Sequence, residues 1–351
     1  MKIKISVLLI SLLLYCITQA QSRYLNKKLA INESGFITIY GHNQFISIKG
    51  ADQKNNPVLL FLHGGPGASA TIMFQKMNKE LEKNFTVVCW DQRGAGNSFS
   101  KKMDKSKLNV PQLIDDTRVL IEYLCKRFSK EKIYLVGHSW GSRLGMYVVR
   151  MYPERIAGYI AVGQEVASYE GELQSWQYAY AQAKKYNNQK AITDLEEMSA
   201  PQNGNYLTMY TTGFWGIVKQ KEWLLKLGGE RFEKTNYKDW IFTIAKGYRF
   251  NIFKLMKWSK ASATTAGTMF HDSAFNNFDL RKDINTVKVP VHFVSGSADY
   301  NTPWPLVKEY EALLNAPVKS FTLFDKSGHS PLFEEAQRFN EFVKTKFKQQ
   351  Q

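Results

Sequence analysis

Ser139 lies in the pentapeptide Gly137-His138-Ser139-Trp140-Gly141. A serine hydroxyl attacks a carbonyl only when a base takes its proton and N–H donors receive the oxyanion that forms. Glycines two residues before and two after the serine leave room for a sharp turn, and such a turn exposes the hydroxyl. The flanking runs fit this reading. Lys132-Ile133-Tyr134-Leu135-Val136 is an apolar, strand-like stretch, and Arg143 to Arg150 has helical character. Ser139 is therefore expected at the end of a strand with a helix N-terminus beneath it, where partial positive charge favours an oxyanion.

The base and the acid that orients it follow the serine in the chain order serine, acid, histidine. Asp299 comes after the apolar run Val291-His292-Phe293-Val294, on the loop Ser295-Gly296-Ser297-Ala298, and is the expected acid. Asp325 competes with it, but lies four residues before the histidine and suits a loop-capping role. His329 falls between the last strand-like run and the last helix-like run and is the expected base. The other histidines fit less well. His42 lies in an early turn, His271 in a helical stretch and His292 inside a strand-like run. His138 is expected to shape the turn around Ser139.

Two glycine-rich loops follow apolar runs. Leu62-His63-Gly64-Gly65-Pro66-Gly67 comes after Val58 to Leu62 and lets a backbone N–H approach a substrate carbonyl. The N–H of Trp140, directly after the serine, is the expected second donor. Trp90-Asp91-Gln92-Arg93-Gly94-Ala95-Gly96-Asn97-Ser98 comes after Phe85 to Trp90, and its Asp91 and Arg93 are expected to brace the loops under the site.

These side chains need a scaffold. Gly35 to Tyr40 and Gln44 to Ile48 alternate like strands around a Gly41-His42-Asn43 turn. Val58 to Leu62, Phe85 to Trp90, Ile133 to Val136, Ile156 to Val162, Val289 to Val294 and Ser320 to Phe324 read as further strands. Val110 to Phe128 and Pro331 to Phe347 have helical periodicity. Continuous apolar strands alternating with helices imply a mostly parallel sheet covered on both faces. Between about Gln164 and Asn285 the alternation stops. Long helical patterns such as Glu172 to Lys185 and Lys254 to Thr264, rich in Trp, Tyr and Phe, indicate a helical insertion. The expected organisation is a leader at 1–20, a first core segment at 21–163, a helical cap at 164–285 and a second core segment at 286–351.

The leader reading rests on Lys2 and Lys4, an apolar stretch from Ile5 to Thr18 and the small-residue ending Thr18-Gln19-Ala20. This is the pattern of an export signal cleaved after Ala20, and it predicts a periplasmic or secreted protein. An uncleaved anchor is the alternative. No later stretch is long and apolar enough to span a bilayer. Of the three cysteines, Cys89 and Cys125 remain after cleavage and read as buried thiols. No Cys/His cluster suggests a metal. The net charge is +16, or +14 without Lys2 and Lys4, and the lysines are scattered, so no nucleic-acid module is indicated.

Together, His63-Gly64-Gly65-Pro66-Gly67, Asp91-Gln92-Arg93-Gly94-Ala95-Gly96-Asn97-Ser98 and Gly137-His138-Ser139-Trp140-Gly141-Ser142 resemble the prolyl iminopeptidase branch of the α/β-hydrolases. The resemblance covers roughly residues 35–163 and 286–347. It implies an α/β-hydrolase fold, a mostly parallel sheet flanked by helices with an inserted helical cap. It implies Ser139 as nucleophile, Asp299 as acid, His329 as base, and Gly65 and Trp140 as oxyanion donors. Members remove N-terminal proline from peptides without a cofactor, and their caps supply carboxylates that hold the free amine. This sequence departs from them at 164–285, where the Trp-Glu pairs of that cap are absent. Glu165, Glu170 and Glu172 are the carboxylates placed to bind an amine, or else are solvated residues of the cap; Glu165 is the named candidate.

The expected function is therefore an exported serine hydrolase acting on small peptides, as an aminopeptidase. The alternatives are a carboxylesterase or amidase for small apolar substrates, and a non-catalytic binding protein on a hydrolase scaffold.

Overall fold

The computed structural model describes residues 29–202 and 204–348. The expected leader at 1–20 lies outside the described residues.

Eight strands form one sheet: β1 (Ile31–Ile39), β2 (His42–Gly50), β3 (Val58–Leu62), β4 (Thr86–Trp90), β5 (Ile133–His138), β6 (Ile156–Val162), β7 (Val291–Gly296) and β8 (Lys319–Phe324). Their spatial order is β1-β2-β4-β3-β5-β6-β7-β8. β1 and β2 form an antiparallel hairpin, and β2 pairs antiparallel with β4. Every pairing from β4 to β8 is parallel. The expected mostly parallel sheet is thus observed.

The helices used below are α1 (Thr71–Met77), α2 (Val110–Phe128), α3 (Trp140–Met151), α4 (Ser168–Lys185), α5 (Gln189–Met198), α6 (Phe214–Lys226), α7 (Lys238–Gly247), α8 (Ile252–Met269), α9 (Trp304–Leu313) and α10 (Ala336–Lys348).

The continuous apolar strands follow from burial on both faces. In β3, Val58, Leu60 and Leu62 enter a core with α2 and α3, while Leu59 and Phe61 enter a second core with α1 and α10. Each such side chain contributes about 1.5–3 kcal/mol when buried. Local signals set the helix ends. Asn109 caps α2 by accepting the Gln112 N–H at 2.9 Å, Pro111 occupies the first turn, and Ser129 closes the helix in the left-handed region at φ 52°. Helix α3 lies unusually close to the sheet. A Cβ on Gly141 would stand 2.1 Å from the Leu62 carbonyl oxygen, and one on Gly145 2.4 Å from the Tyr159 hydroxyl. The glycines that open the serine turn thus also set the helix–sheet distance.

Two elements differ from expectation. The hairpin turn falls at Tyr40-Gly41, with His42 already paired to Ile39. The closing helix is interrupted at Glu335, which separates Pro331–Glu334 from α10. The Glu335 carboxylate accepts hydrogen bonds from the Lys326 N–H and the Ser327 hydroxyl, tying this corner to the loop before it. Cys89 and Cys125 are buried free thiols.

Between β6 and β7 the chain is helical, from α4 to α8 and two shorter turns, with no strand of the sheet among the described residues. It has its own apolar core around Ala179, Leu195, Met209 and Leu224.

Candidate active site

Ser139 is the N-cap of α3 and has φ 55° and ψ −126°, a conformation that L-residues rarely adopt. It holds the strained turn because β5 and α3 fix both sides of it. Its N–H donates to the Val162 carbonyl at 3.0 Å, and its carbonyl accepts from the Ser142 N–H and hydroxyl at 2.7 and 2.6 Å. Ser139 is half-buried and lies in the wall of a cavity of about 230 Å³.

His329 and Asp299 are brought together. The Nδ1 of His329 is 3.2 and 3.1 Å from the two Asp299 oxygens. Asp299 is fully buried and also accepts from the Asn301 N–H, the Thr302 N–H and the Thr302 hydroxyl, at 3.1, 2.9 and 2.9 Å. These donors fix the direction of the carboxylate. The His329 Nδ1 proton therefore points at Asp299, and Nε2 faces the other way. Nε2 is buried and has no hydrogen-bond partner among the described residues. The competing Asp325 is elsewhere: it is exposed and paired with Arg338.

Three histidine rings surround the serine turn, and their environments separate their charges. Burial lowers the His138 pKa to about 3, helped by the charge on His329. Its Nε2 meets the His329 carbonyl at 3.0 Å and the Ser330 hydroxyl at 3.2 Å, so it braces the loop that carries His329. Burial also lowers His63, whose Nε2 accepts the Gln92 N–H at 3.2 Å. For His329 burial is again the largest influence and lowers its pKa. The charge and hydrogen bond of Asp299, with Glu230, outweigh it, and the net value rises to about 9.

Gly65 has φ 121° and lines the cavity beside Ser139. Neither its N–H nor that of Trp140 donates to a protein group among the described residues. Gln92 ties the two donor segments together. Its Nε2 donates to the His63 carbonyl at 2.8 Å, and its Oε1 accepts from the Trp140 indole at 3.0 Å. Asp91 and Arg93 brace, as expected. Asp91 accepts from the hydroxyls of Ser69 and Thr71 and from the Asn97 N–H, at 2.5, 2.7 and 2.8 Å. Arg93 is buried in a bidentate pair with Asp116, at 2.6 and 2.8 Å.

One wall of the cavity is aromatic, with Tyr206, Phe270, Phe275 and Phe278. Another is charged. Glu165 lies 3.1 Å from the Nε of Arg143, an ion pair outside directed hydrogen-bond geometry. Glu172 pairs with Lys221 at 2.7 Å. Glu170 lies outside the cavity lining. Both cavity carboxylates are thus already matched by a cation.

Sequence reasoning missed two residues. Arg143 is fully buried, with its guanidinium over Phe278, Phe275 and Trp140 at 3.7, 4.5 and 4.9 Å. A cation on the apolar face of α3, one turn after the serine, was the available signal. Glu230 is buried beside the His329 loop. Its carbonyl accepts the His329 N–H at 2.8 Å, and its carboxylate, pushed up by burial, accepts the Tyr237 hydroxyl at 2.6 Å. The break in helical pattern at Gly228-Gly229-Glu230-Arg231 was its one trace in the sequence.

Among the described residues no cluster of His, Cys, Asp or Glu could hold a metal, and no helix is long and apolar enough to cross a membrane. A family model described as the alpha/beta hydrolase fold matches residues 57–336. The chain is 30% identical over 329 residues to the probable aminopeptidase YbaC of Bacillus subtilis, covering 89% of this chain and 95% of that one. It is 26% identical over 310 residues to a proline iminopeptidase of Heyndrickxia coagulans, covering 87% and 95%. The crystal structure of proline iminopeptidase from Mycobacterium smegmatis superposes with a TM-score of 0.64 at 14% identity, covering 91% of this chain and 98% of that one.

Proposed function

The chain belongs to the α/β-hydrolase fold family, and on that premise we propose that it is an exported serine hydrolase of aminopeptidase type. Two observations support the reading: the Asp299–His329 pair at 3.1 Å, and a serine held at φ 55° on the wall of a partly open cavity. Ser139 Oγ attacks the substrate carbonyl while His329 Nε2 takes its proton. The N–H groups of Gly65 and Trp140 receive the oxyanion. Collapse of the tetrahedral intermediate expels the leaving amine, which takes the proton from His329 and leaves the acyl group on Ser139. Water, deprotonated by the same imidazole, then releases the acid. Asp299 keeps the ring in the tautomer that leaves Nε2 free and stabilises the imidazolium.

The names of the relatives support a peptide substrate with a free N-terminus, and an aromatic wall suits a small apolar first residue. Glu165 and Glu172 are the groups that would meet its amine. A second reading is favoured by one observation: Arg143 and Lys221 already compensate these carboxylates. A cavity without surplus negative charge also accepts uncharged esters and amides.

The test is turnover of proline p-nitroanilide, its N-blocked analogue and a short-chain p-nitrophenyl ester by wild type and Ser139→Ala. Release from the free-amine substrate alone, lost in the variant, supports the aminopeptidase. Serine-dependent ester turnover without proline release moves the assignment to an esterase. Turnover that survives Ser139→Ala would overturn the nucleophile. Export is tested separately, by finding whether the protein accumulates outside the cytoplasm with Gln21 as its first residue.

A further inference from the structure

Large apolar side chains on the surface are concentrated in one place. Among the described residues fourteen are exposed, and six of them fall between positions 241 and 256. They are Ile241, Phe242, Phe250, Ile252, Phe253 and Met256, with Phe253 79% exposed. They occupy the outer face of α7, the turn after it and the first turns of α8. The inner face is separately satisfied, because Trp240, Tyr248, Leu255 and Trp258 pack against the sheet's second core. The outer set is therefore not surplus core. The turn that presents it is held under strain: Arg249 and Phe250 are consecutive non-glycine residues at φ 54° and 53°. Phe250 stays solvent-facing and reaches Phe242, ring centres 5.7 Å apart.

Charge identifies the partner. From Trp240 to His271 the sequence contains no acidic residue and five cations, Lys246, Arg249, Lys254, Lys257 and Lys260. All five are exposed, and none forms an ion pair among the described residues. Lys101 adds another cation beside Phe253 and Met256. Of these, Lys257 donates to the Asn97 carbonyl at 3.0 Å. Aromatic and aliphatic side chains on adjacent amphipathic helices, ringed by cations with no carboxylate partner, match an anionic lipid surface, where the apolar groups enter the acyl boundary and the cations meet headgroups. A second copy of this chain would bring the same positive charge to the contact and be repelled.

We propose that this face docks the protein peripherally on anionic membranes. Helix α8 links the face to the site. Near its other end Thr265 donates to the Gly94 carbonyl at 2.9 Å, and Phe270, just beyond the helix, lines the cavity. Docking therefore sets the orientation of the cavity relative to the bilayer.

The test places an environment-sensitive fluorophore on Phe253→Cys in the chain that starts at Gln21, where the other two cysteines, Cys89 and Cys125, are buried. Vesicles of phosphatidylglycerol and phosphatidylcholine are compared with phosphatidylcholine alone. The expected result is a blue shift with the anionic vesicles that weakens as salt rises. Lys246→Glu/Lys254→Glu/Lys260→Glu should reduce vesicle affinity by at least about a hundredfold, with the turnover shown by wild type in free solution unchanged. Three results would overturn the proposal. One is no shift with anionic vesicles. Another is equal shifts with both vesicle types. The third is a shift that depends on protein concentration without vesicles, which would assign the face to self-association. Because the probe sits at Phe253, binding through any other segment does not mimic docking, and failure of the hydrolase reading does not affect the outcome.

Discussion

Asp299→Asn changes the charge beside His329 while keeping its size, and three quantities should move together. The folded protein holds His329 at about 9 against an ordinary 6.5, a difference worth about 3 kcal/mol. Burial alone acts in the other direction, so without the Asp299 charge the value should fall by about two units or more. In wild type, kcat/KM should rise with pH through a single ionisation near 9, because only neutral imidazole is a base. In the variant that limb should move to the ordinary imidazole range or below. Turnover should fall roughly 10⁴-fold, since Asn stabilises neither the required tautomer nor the imidazolium. Stability follows with a defined sign. A raised folded pKa contributes stability that is fully present below pH 6.5 and is lost as pH rises through about 9. The wild-type advantage over the variant in urea unfolding should therefore be largest near pH 6 and shrink toward pH 10. Turnover between pH 5 and 10 of whichever p-nitroanilide or p-nitrophenyl substrate the wild type hydrolyses, with urea midpoints at both extremes, reads all three. A variant limb that remains near 9, or a stability difference that grows with pH, would refute the assignment of Asp299 as the group controlling His329.

Three further outcomes are expected. Glu165→Gln leaves the Arg143 guanidinium buried without its anion, so urea unfolding should show a loss of roughly 3 kcal/mol, whereas Arg143→Met/Glu165→Gln should recover much of it. A recovery of nothing would mean that the aromatic contacts, not the ion pair, hold Arg143. Gly145→Ala places a Cβ 2.4 Å from the Tyr159 hydroxyl and should destabilise by about 1–3 kcal/mol; an unchanged urea midpoint would contradict the close helix–sheet packing. Gln92→Leu strands the His63 carbonyl and the Trp140 indole and should lower kcat about 10–100-fold with little change in KM. An equal effect on ester binding would argue that Gln92 shapes the cavity instead of aligning the donors.

The sheet was legible because β3, β4 and β5 are buried on both faces, so their strands are uninterrupted apolar runs bounded by glycine loops. Ser139, Asp299 and His329 stood out as candidates for the same reason: each follows a strand, strand ends in a parallel sheet converge, and the structure pairs Asp299 with His329. Arg143 and Glu230 were not legible because their roles are purely tertiary. A buried arginine is stable only if aromatic rings and a carboxylate arrive from other parts of the chain, and Phe275, Phe278 and Glu165 all do. The break at Glu335 was hidden because apolar spacing continues through it, while the hydrogen bonds that hold it come from Lys326 and Ser327. The hairpin turn moved because β1 is an edge strand, where exposed side chains weaken the alternation that fixes a register.

β6 and β7 are hydrogen-bonded neighbours, with Val162 beside Val294, although residues 163–290 separate them along the chain. Closing a loop costs little extra as it lengthens, about 0.6 kcal/mol for each doubling. The stretch that furnishes the aromatic wall can thus grow or shrink between two fixed anchor points, provided that Glu230 within it still accepts the His329 N–H. Most of the wall can therefore vary in a lineage independently of the sheet, and Glu230 is the point at which the two stay joined.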